Sequence, residues 1–307
     1  MRKRGHRRRI EALATALPQR FAALARRAGL LTLLGAFFAY PGALAADAVL
    51  VALFVPDEPG FTPASLPVPR PAQHASVAIV IDDMGLNRRL SERTIRLPAT
   101  LTLAYLPYAP DLGGQTRAAT AAGHEVILHM PMEPLGNHDP GPDALRPSLP
   151  AEENLRRLRA ALAAVPVAVG VNNHMGSRFT EDAAALAPIL AEIGARGLYF
   201  LDSRTSPRSL AFTTAQGLGL PTLGRDVFLD DSDVPEAIAR QIAAIEARAR
   251  RTGSVIAIGH PREATLAALE AWTMEAEARG FRTIALSARL PGHRAAQRQG
   301  WSLGGGR

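Results

Sequence analysis

Two adjacent carboxylates, Asp82 and Asp83, end an apolar run in the stretch VAIVIDDMG, residues 77–85. Neighbouring like charges repel each other, and a bound cation removes that cost. His129, His174 and His260 follow three further apolar runs. Imidazole and carboxylate are common donors to a catalytic divalent metal. These five residues predict a metal centre in which one aspartate is a ligand and the other, kept ionised by the metal, is a general base.

The donor types indicate which metal and which reaction to expect. Because the chain contains no cysteine, imidazole and carboxylate donors favour Zn²⁺ as the cofactor, with iron, cobalt, nickel and manganese as alternatives. Three protein ligands would leave one position open for water. A metal of this kind lowers the pKa of water and polarises a carbonyl oxygen, so the predicted reaction is hydrolysis of an amide or ester.

The composition excludes several other chemistries. Lys3 is the sole lysine and cysteine is absent, which excludes a Schiff-base lysine, a P-loop lysine and a catalytic thiol. The net charge of +7 resides in residues 1–27, which contain nine Arg or Lys and one Glu. Since the rest of the chain is close to neutral, nucleic acid is not a predicted partner.

The candidate residues stand at the ends of predicted strands. Segments of helical period, such as 151–165 and 234–251, alternate with the apolar runs, and Ser232 and Asp233 are candidate caps of the second. Seven or eight strands alternating with helices predict a single α/β domain with a parallel sheet, closed as a barrel or open and doubly wound. In both architectures the site lies beyond the carboxyl ends of the strands. The predicted strands are 76–82, 100–105, 125–130, 167–173, 198–202, 227–230, 254–259 and 283–286.

The two ends of the chain differ from this domain, which we place at 75–290. A basic segment, 1–27, precedes an apolar run, 28–55, as expected of a cytoplasmic segment followed by a signal peptide or a membrane anchor. The run is either cleaved after Ala45 or kept as an inner-membrane span, and both place the domain in the periplasm or otherwise outside the cytoplasmic membrane. The Pro-rich residues 56–74 predict a linker, and the Gly- and Arg-rich residues 291–307 predict a disordered tail.

Five motifs together resemble one known family. They are VAIVIDDMG, AGHEVILHMPMEP, GVNNHMGSRFT, FLDSRTS and IAIGHPR, in this order along the chain. They look like the divergent polysaccharide deacetylase family, which is related to the NodB-type carbohydrate esterases. The resemblance covers roughly residues 75–290 and implies a deformed β/α barrel.

The resemblance also implies roles for individual residues. Asp82 matches the catalytic base and Asp83 the metal-binding carboxylate of the NodB-type Asp-Asp motif. His260 resembles the late histidine that acts as general acid. The implied reaction is metal-dependent removal of acetyl groups from N-acetylated sugars of a cell-envelope glycan, peptidoglycan or a similar polysaccharide.

One ligand position departs from the family pattern. His129 resembles the first histidine of the His-x-x-x-His metal motif, but Glu133 stands where the second histidine is expected. His174, at the end of another predicted strand on the same rim, is the preferred third ligand. Glu133 is the alternative.

Further polar residues near these motifs are candidates to bind the sugar. They lie at the ends of the fourth, fifth and seventh predicted strands and in the loops that follow. An alternative function is a non-catalytic envelope protein that binds glycan or a partner protein through a retained barrel, since a fold does not fix a function. The candidate sugar-binding residues are Asn172, Asn173, Arg178, Asp202, Arg204 and Arg262.

Overall fold

A computed structural model describes residues 74–290. The predictions for residues 1–73 and 291–307 lie outside the described residues. The domain alternates strands with helices, as the sequence predicts. The strands are β1 (Ala75–Met84), β2 (Thr102–Tyr105), β3 (Glu125–Met132), β4 (Gly170–Met175), β5 (Tyr199–Asp202), β6 (Thr222–Gly224), β7 (Val227–Phe228), β8 (Ser254–Gly259) and β9 (Phe281–Thr283).

Seven α-helices and two short 3₁₀ helices connect these strands in the described part of the chain. None of the helices within residues 74–290 is both long and apolar enough to span a membrane. The α-helices are α1 (Arg88–Ile95), α2 (Leu112–Ala121), α3 (Ala151–Ala164), α4 (Ala183–Ala195), α5 (Ala211–Gly217), α6 (Pro235–Thr252) and α7 (Glu263–Glu275), and the 3₁₀ helices are Phe179–Glu181 and Leu286–Arg289.

All strands are parallel and form one curled sheet. Its order is β6-β5-β4-β3-β2-β1-β8-β7, with β9 paired to the start of β1. Within residues 74–290 no ladder joins β6 to β7, so the barrel is incompletely closed. This α/β fold confirms the predicted deformed barrel with parallel strands.

Alternation along β1 shows how the sheet is buried on both faces. Val77, Ile79 and Ile81 belong to the large core between sheet and helices. Ala78 and Val80 belong to a smaller cluster on the other face, which Leu286 of the last 3₁₀ helix also joins. Successive side chains of a strand point to opposite faces, so a strand covered on both sides is apolar without interruption. This explains why the sequence shows continuous apolar runs.

The structure corrects the predicted elements at several points. The short strand β6 was not predicted, and the last run forms β9 only as far as Thr283 before turning into a 3₁₀ helix. Helix α6 is not capped by Ser232 or Asp233, because Val234 is the N-cap residue and Pro235 follows in the first turn. Proline suits that position since its missing N–H would have no partner within the helix.

Candidate active site

The predicted residues converge at the carboxyl ends of β1, β3, β4 and β8. Strand register brings them there: His129 pairs with Asn172, and Ile81, next to Asp82, pairs with Gly259. They surround a cavity of about 300 Å³. Its lining residues are Asp82, Asp83, His129, Asn173, His174, Met175, Ser203, Thr205, Arg225, Phe228, Ile258, His260 and Arg262.

A bulge in β1 lets both neighbouring aspartates line this cavity. Ile81 pairs with Leu103 and Met84 with Tyr105, so β1 carries one more residue than β2 between these pairs. Asp83 adopts a left-handed backbone conformation, with φ of 55°. In a regular strand the two side chains would point to opposite faces, whereas a bulge redirects one of them. The Asp-Asp motif therefore depends on this local irregularity.

Asp83, His129 and His174 form a three-donor cluster that fits a divalent metal. Oδ1 of Asp83 lies 2.9 Å from Nδ1 of His174 and 3.3 Å from Nε2 of His129. Despite these short distances, this buried oxygen has no hydrogen-bond partner of acceptable geometry. Nδ1 of His174 also lies 3.2 Å from Nε2 of His129. A buried oxygen without a partner and two imidazole nitrogens that converge on it are suited to share a cation, and these donor types suit zinc.

The third predicted ligand position is thus occupied by His174 in space. Within residues 74–290, Asp83, His129 and His174 are the grouped donors. Glu133, the predicted alternative, lies outside this group and forms an ion pair with Arg178, with Nε to Oε1 at 3.3 Å. The third donor beside Asp83 and His129 thus comes from the neighbouring strand β4.

Asn172 joins the candidate metal ligand to the candidate base. Its Oδ1 lies 2.8 Å from Nδ1 of His129, and its Nδ2 donates to Oδ1 of Asp82 at 2.8 Å and to Ser203 at 3.1 Å. The residue is fully buried and does not line the cavity. Its contacts give it a positioning role, because they fix which nitrogen of His129 faces the cluster.

The two aspartates differ in pKa. Burial raises the pKa of Asp82, although His129, His260 and the amide of Asn172 oppose this. Burial also opposes ionisation of Asp83, but the close imidazoles of His129 and His174 outweigh it and lower its pKa. Paired carboxyl groups with diverging pKa values suit an acid-base residue beside a ligand.

His260 is held by a residue to which the sequence assigned no role. Its Nδ1 lies 2.9 Å from Oδ1 of Asp230, and its Nε2 lies 3.9 Å from Oδ2 of Asp83. Burial lowers the pKa of His260, but the Asp230 carboxylate outweighs burial and raises it. The ring is therefore suited to hold a proton at the cavity.

The remaining predicted sugar-binding residues divide into two groups. Asn173 and Arg262 line the cavity. Asp202 is buried and does not line the cavity, and its carboxylate accepts from Ser209 and from two backbone amides. Arg178 and Arg204 do not line the cavity.

Sequence reasoning also missed Arg225, Phe228 and the role of Asp230. Arg225 and Phe228 line the cavity, and the Phe228 ring packs edge-on against His260 with ring centres 5.6 Å apart. Arg225 lies between two very short strands, where no motif marks it. Asp230 is the last residue of the sixth predicted strand, 227–230, and its position at a strand end was the one available signal.

Comparison with known proteins agrees with this geometry. The profile described as divergent polysaccharide deacetylase matches residues 79–290, and the chain belongs to this family. The uncharacterized protein YibQ of Escherichia coli is 38% identical over 207 residues, which are 67% of this chain and 65% of YibQ. A Haemophilus influenzae protein is 36% identical over 64% of this chain and 70% of its own length. The matched segment thus spans just under two thirds of YibQ.

A solved structure is similar over most of the domain. The crystal structure of ATU2773 from Agrobacterium tumefaciens has a TM-score of 0.69 and 35% identity. The match covers 71% of this chain and 89% of that one. It supports the parallel, incompletely closed barrel described above.

Proposed function

We propose that the protein is a metal-dependent hydrolase that removes acetyl groups from N-acetylated sugars of a cell-envelope polysaccharide. One observation carries the proposal: the cluster of Asp83, His129 and His174 opens on the same cavity as Asp82 and His260. Membership of the divergent polysaccharide deacetylase family supports this reaction class.

Each residue has a defined task in this reaction. A divalent cation held by the three-donor cluster would supply Lewis acidity toward the acetyl carbonyl and toward water. Asp82, positioned by Asn172, accepts the proton of the water that attacks the carbonyl carbon. His260, oriented by Asp230, donates a proton to the nitrogen as the carbon–nitrogen bond breaks. Acetate and a free sugar amine are the products.

The envelope location is part of the proposal and rests on the sequence. A basic segment at 1–27 before an apolar run at 28–55 supports export or anchoring at the inner membrane. Peptidoglycan or a similar acetylated glycan would then be within reach. One reason for the alternative, a non-catalytic glycan-binding protein, is that position 133 is not a histidine. His174 lies beside Asp83 and His129 as a third donor, which weakens that reason.

The test combines metal content with acetate release. The full-length protein, loaded with zinc and dialysed, is expected to retain about one zinc per chain and to release acetate from N-acetylated glycan fragments. His174→Ala should lose zinc, whereas Glu133→Gln should retain it. Asp82→Asn should keep zinc and lose turnover by about 10²–10⁴-fold. Zinc retained with no acetate release from any acetylated glycan would favour the binding-protein alternative, and no zinc retained would contradict the metal site.

A further inference from the structure

A second feature of the cavity is its positive wall. Arg225 and Arg262 both line the cavity. Within residues 74–290, neither guanidinium has a carboxylate oxygen at ion-pair distance, and the hydrogen bonds that they donate go to backbone carbonyl oxygens. Arg178, by contrast, is paired with Glu133. Arginines at a protein surface commonly pair with acidic side chains, so this wall leaves two cations available to a ligand.

Arg225 is held rigidly by neutral groups. Its Nε donates to the carbonyl oxygen of Ser203 at 2.6 Å, and its Nη2 donates to that of Arg204 at 2.8 Å. The guanidinium carbon also lies 4.8 Å from the centre of the Phe228 ring. These contacts fix the orientation of the guanidinium before any ligand binds, which reduces the entropy lost on binding.

Arg225 carries an electrostatic cost that a ligand would relieve. Burial lowers its pKa, and the nearby Arg204 guanidinium lowers it further. Asp82, Asp202 and Asp231 act in the opposite direction, but none is close enough to form an ion pair. A partly buried cation without a counter-ion is unfavourable, and an anionic ligand group removes this penalty.

We propose, on the basis of the proposed function, that the sugar substrate carries an acidic substituent that Arg225 and Arg262 bind. The planar guanidinium matches the two oxygens of a carboxylate. The acidic group would sit against the arginine wall while the acetamido group lies near Asp83 and His129, since all four residues line one cavity. The substrate class is therefore an acidic N-acetylated sugar rather than a neutral one.

The first test compares two matched substrates with the full-length, zinc-loaded protein. One is an N-acetylated disaccharide bearing a lactyl carboxylate, and the other is its methyl ester. We expect kcat/KM to favour the carboxylate by about 10- to 100-fold, as for hydrogen bonds to a charged group. Arg225→Met should reduce this preference mainly through a higher KM for the carboxylate. Arg117→Met removes an exposed arginine on α2, outside the cavity, and controls for the change in net charge.

The outcomes separate this inference from the proposed function. If Arg225→Met lowers kcat/KM equally for the carboxylate and its methyl ester, or if the parent protein does not prefer the carboxylate, the inference is overturned. The release of acetate, and with it the proposed function, would still stand. If neither substrate is hydrolysed, calorimetric binding of the carboxylate disaccharide decides the inference alone, and the proposed function is judged separately by acetate release from the other acetylated glycans. Binding that is at least tenfold weaker in Arg225→Met supports the anion site, and equal binding to parent and variant overturns it.

Discussion

The carboxylate of Asp230 holds His260 through two contacts at once. Oδ1 of Asp230 lies 2.9 Å from Nδ1 of the ring, and Oδ2 accepts the backbone N–H of His260 at 2.7 Å. Thr265 donates a third hydrogen bond to Oδ2 at 2.8 Å, so the carboxylate itself is fixed. This arrangement leaves Nε2 of His260 as the nitrogen available at the cavity.

Asp230→Asn should therefore change both the rate and its pH dependence. Asp230 raises the pKa of His260 in the parent protein. Without that negative charge the pKa falls, so the fraction of protonated His260 declines at a lower pH. We expect the alkaline limb of the pH profile of kcat to shift to lower pH, with kcat reduced by about 10²-fold at neutral pH. An unshifted alkaline limb would contradict the role of His260 as a proton donor.

Asn172→Ala should weaken metal binding without direct contact to the metal. The variant removes the group that orients His129 and the amide that donates to Asp82. Loss of such an outer partner typically costs about 10–100-fold in metal affinity or activity. A zinc competition titration measures the effect. Asn154→Ala is the matched control, because this buried asparagine bonds to the backbone of Arg146 and should leave zinc affinity unchanged.

The sequence predicted most of the fold because its strands are apolar without interruption. Prediction from the sequence failed for features that depend on how neighbouring strands pair. The motif at Asp82 and Asp83 was recognisable, but the bulge that turns both toward the cavity arises from register with β2. Asn172 and Asn173 are adjacent, chemically identical and both buried, yet only Asn173 lines the cavity, a difference that the sequence does not mark.

Gly170→Ala tests the packing at the start of β4. A Cβ at Gly170 would lie 2.5 Å from the buried Tyr199 ring, whose hydroxyl donates to Glu125 at 2.8 Å. Overpacking of this kind costs about 1–3 kcal/mol, and thermal unfolding should show Tm lower by about 2–10 °C. Gly217→Ala is the control, because a Cβ there meets nothing within 4 Å. Equal Tm values for the two variants would contradict the packing account.

Glu246→Ala should lower the stability of the domain at a point remote from the cavity. This buried carboxylate accepts from Nε1 of Trp272 at 2.9 Å and from Nη2 of Arg279 at 2.8 Å, so it links α6 to α7 and to the chain beyond it. Its removal leaves a buried indole N–H without an acceptor, which costs about 1–3 kcal/mol, whereas the partly exposed Arg279 can be hydrated. Chemical denaturation measures the loss in free energy of unfolding. Glu275→Ala, at an exposed position on α7, is the control, and its free energy of unfolding should stay within about 0.5 kcal/mol of the parent value. Zinc affinity should be the same in both variants. A lower zinc affinity in Glu246→Ala alone would contradict this and mean that the network also supports the metal site.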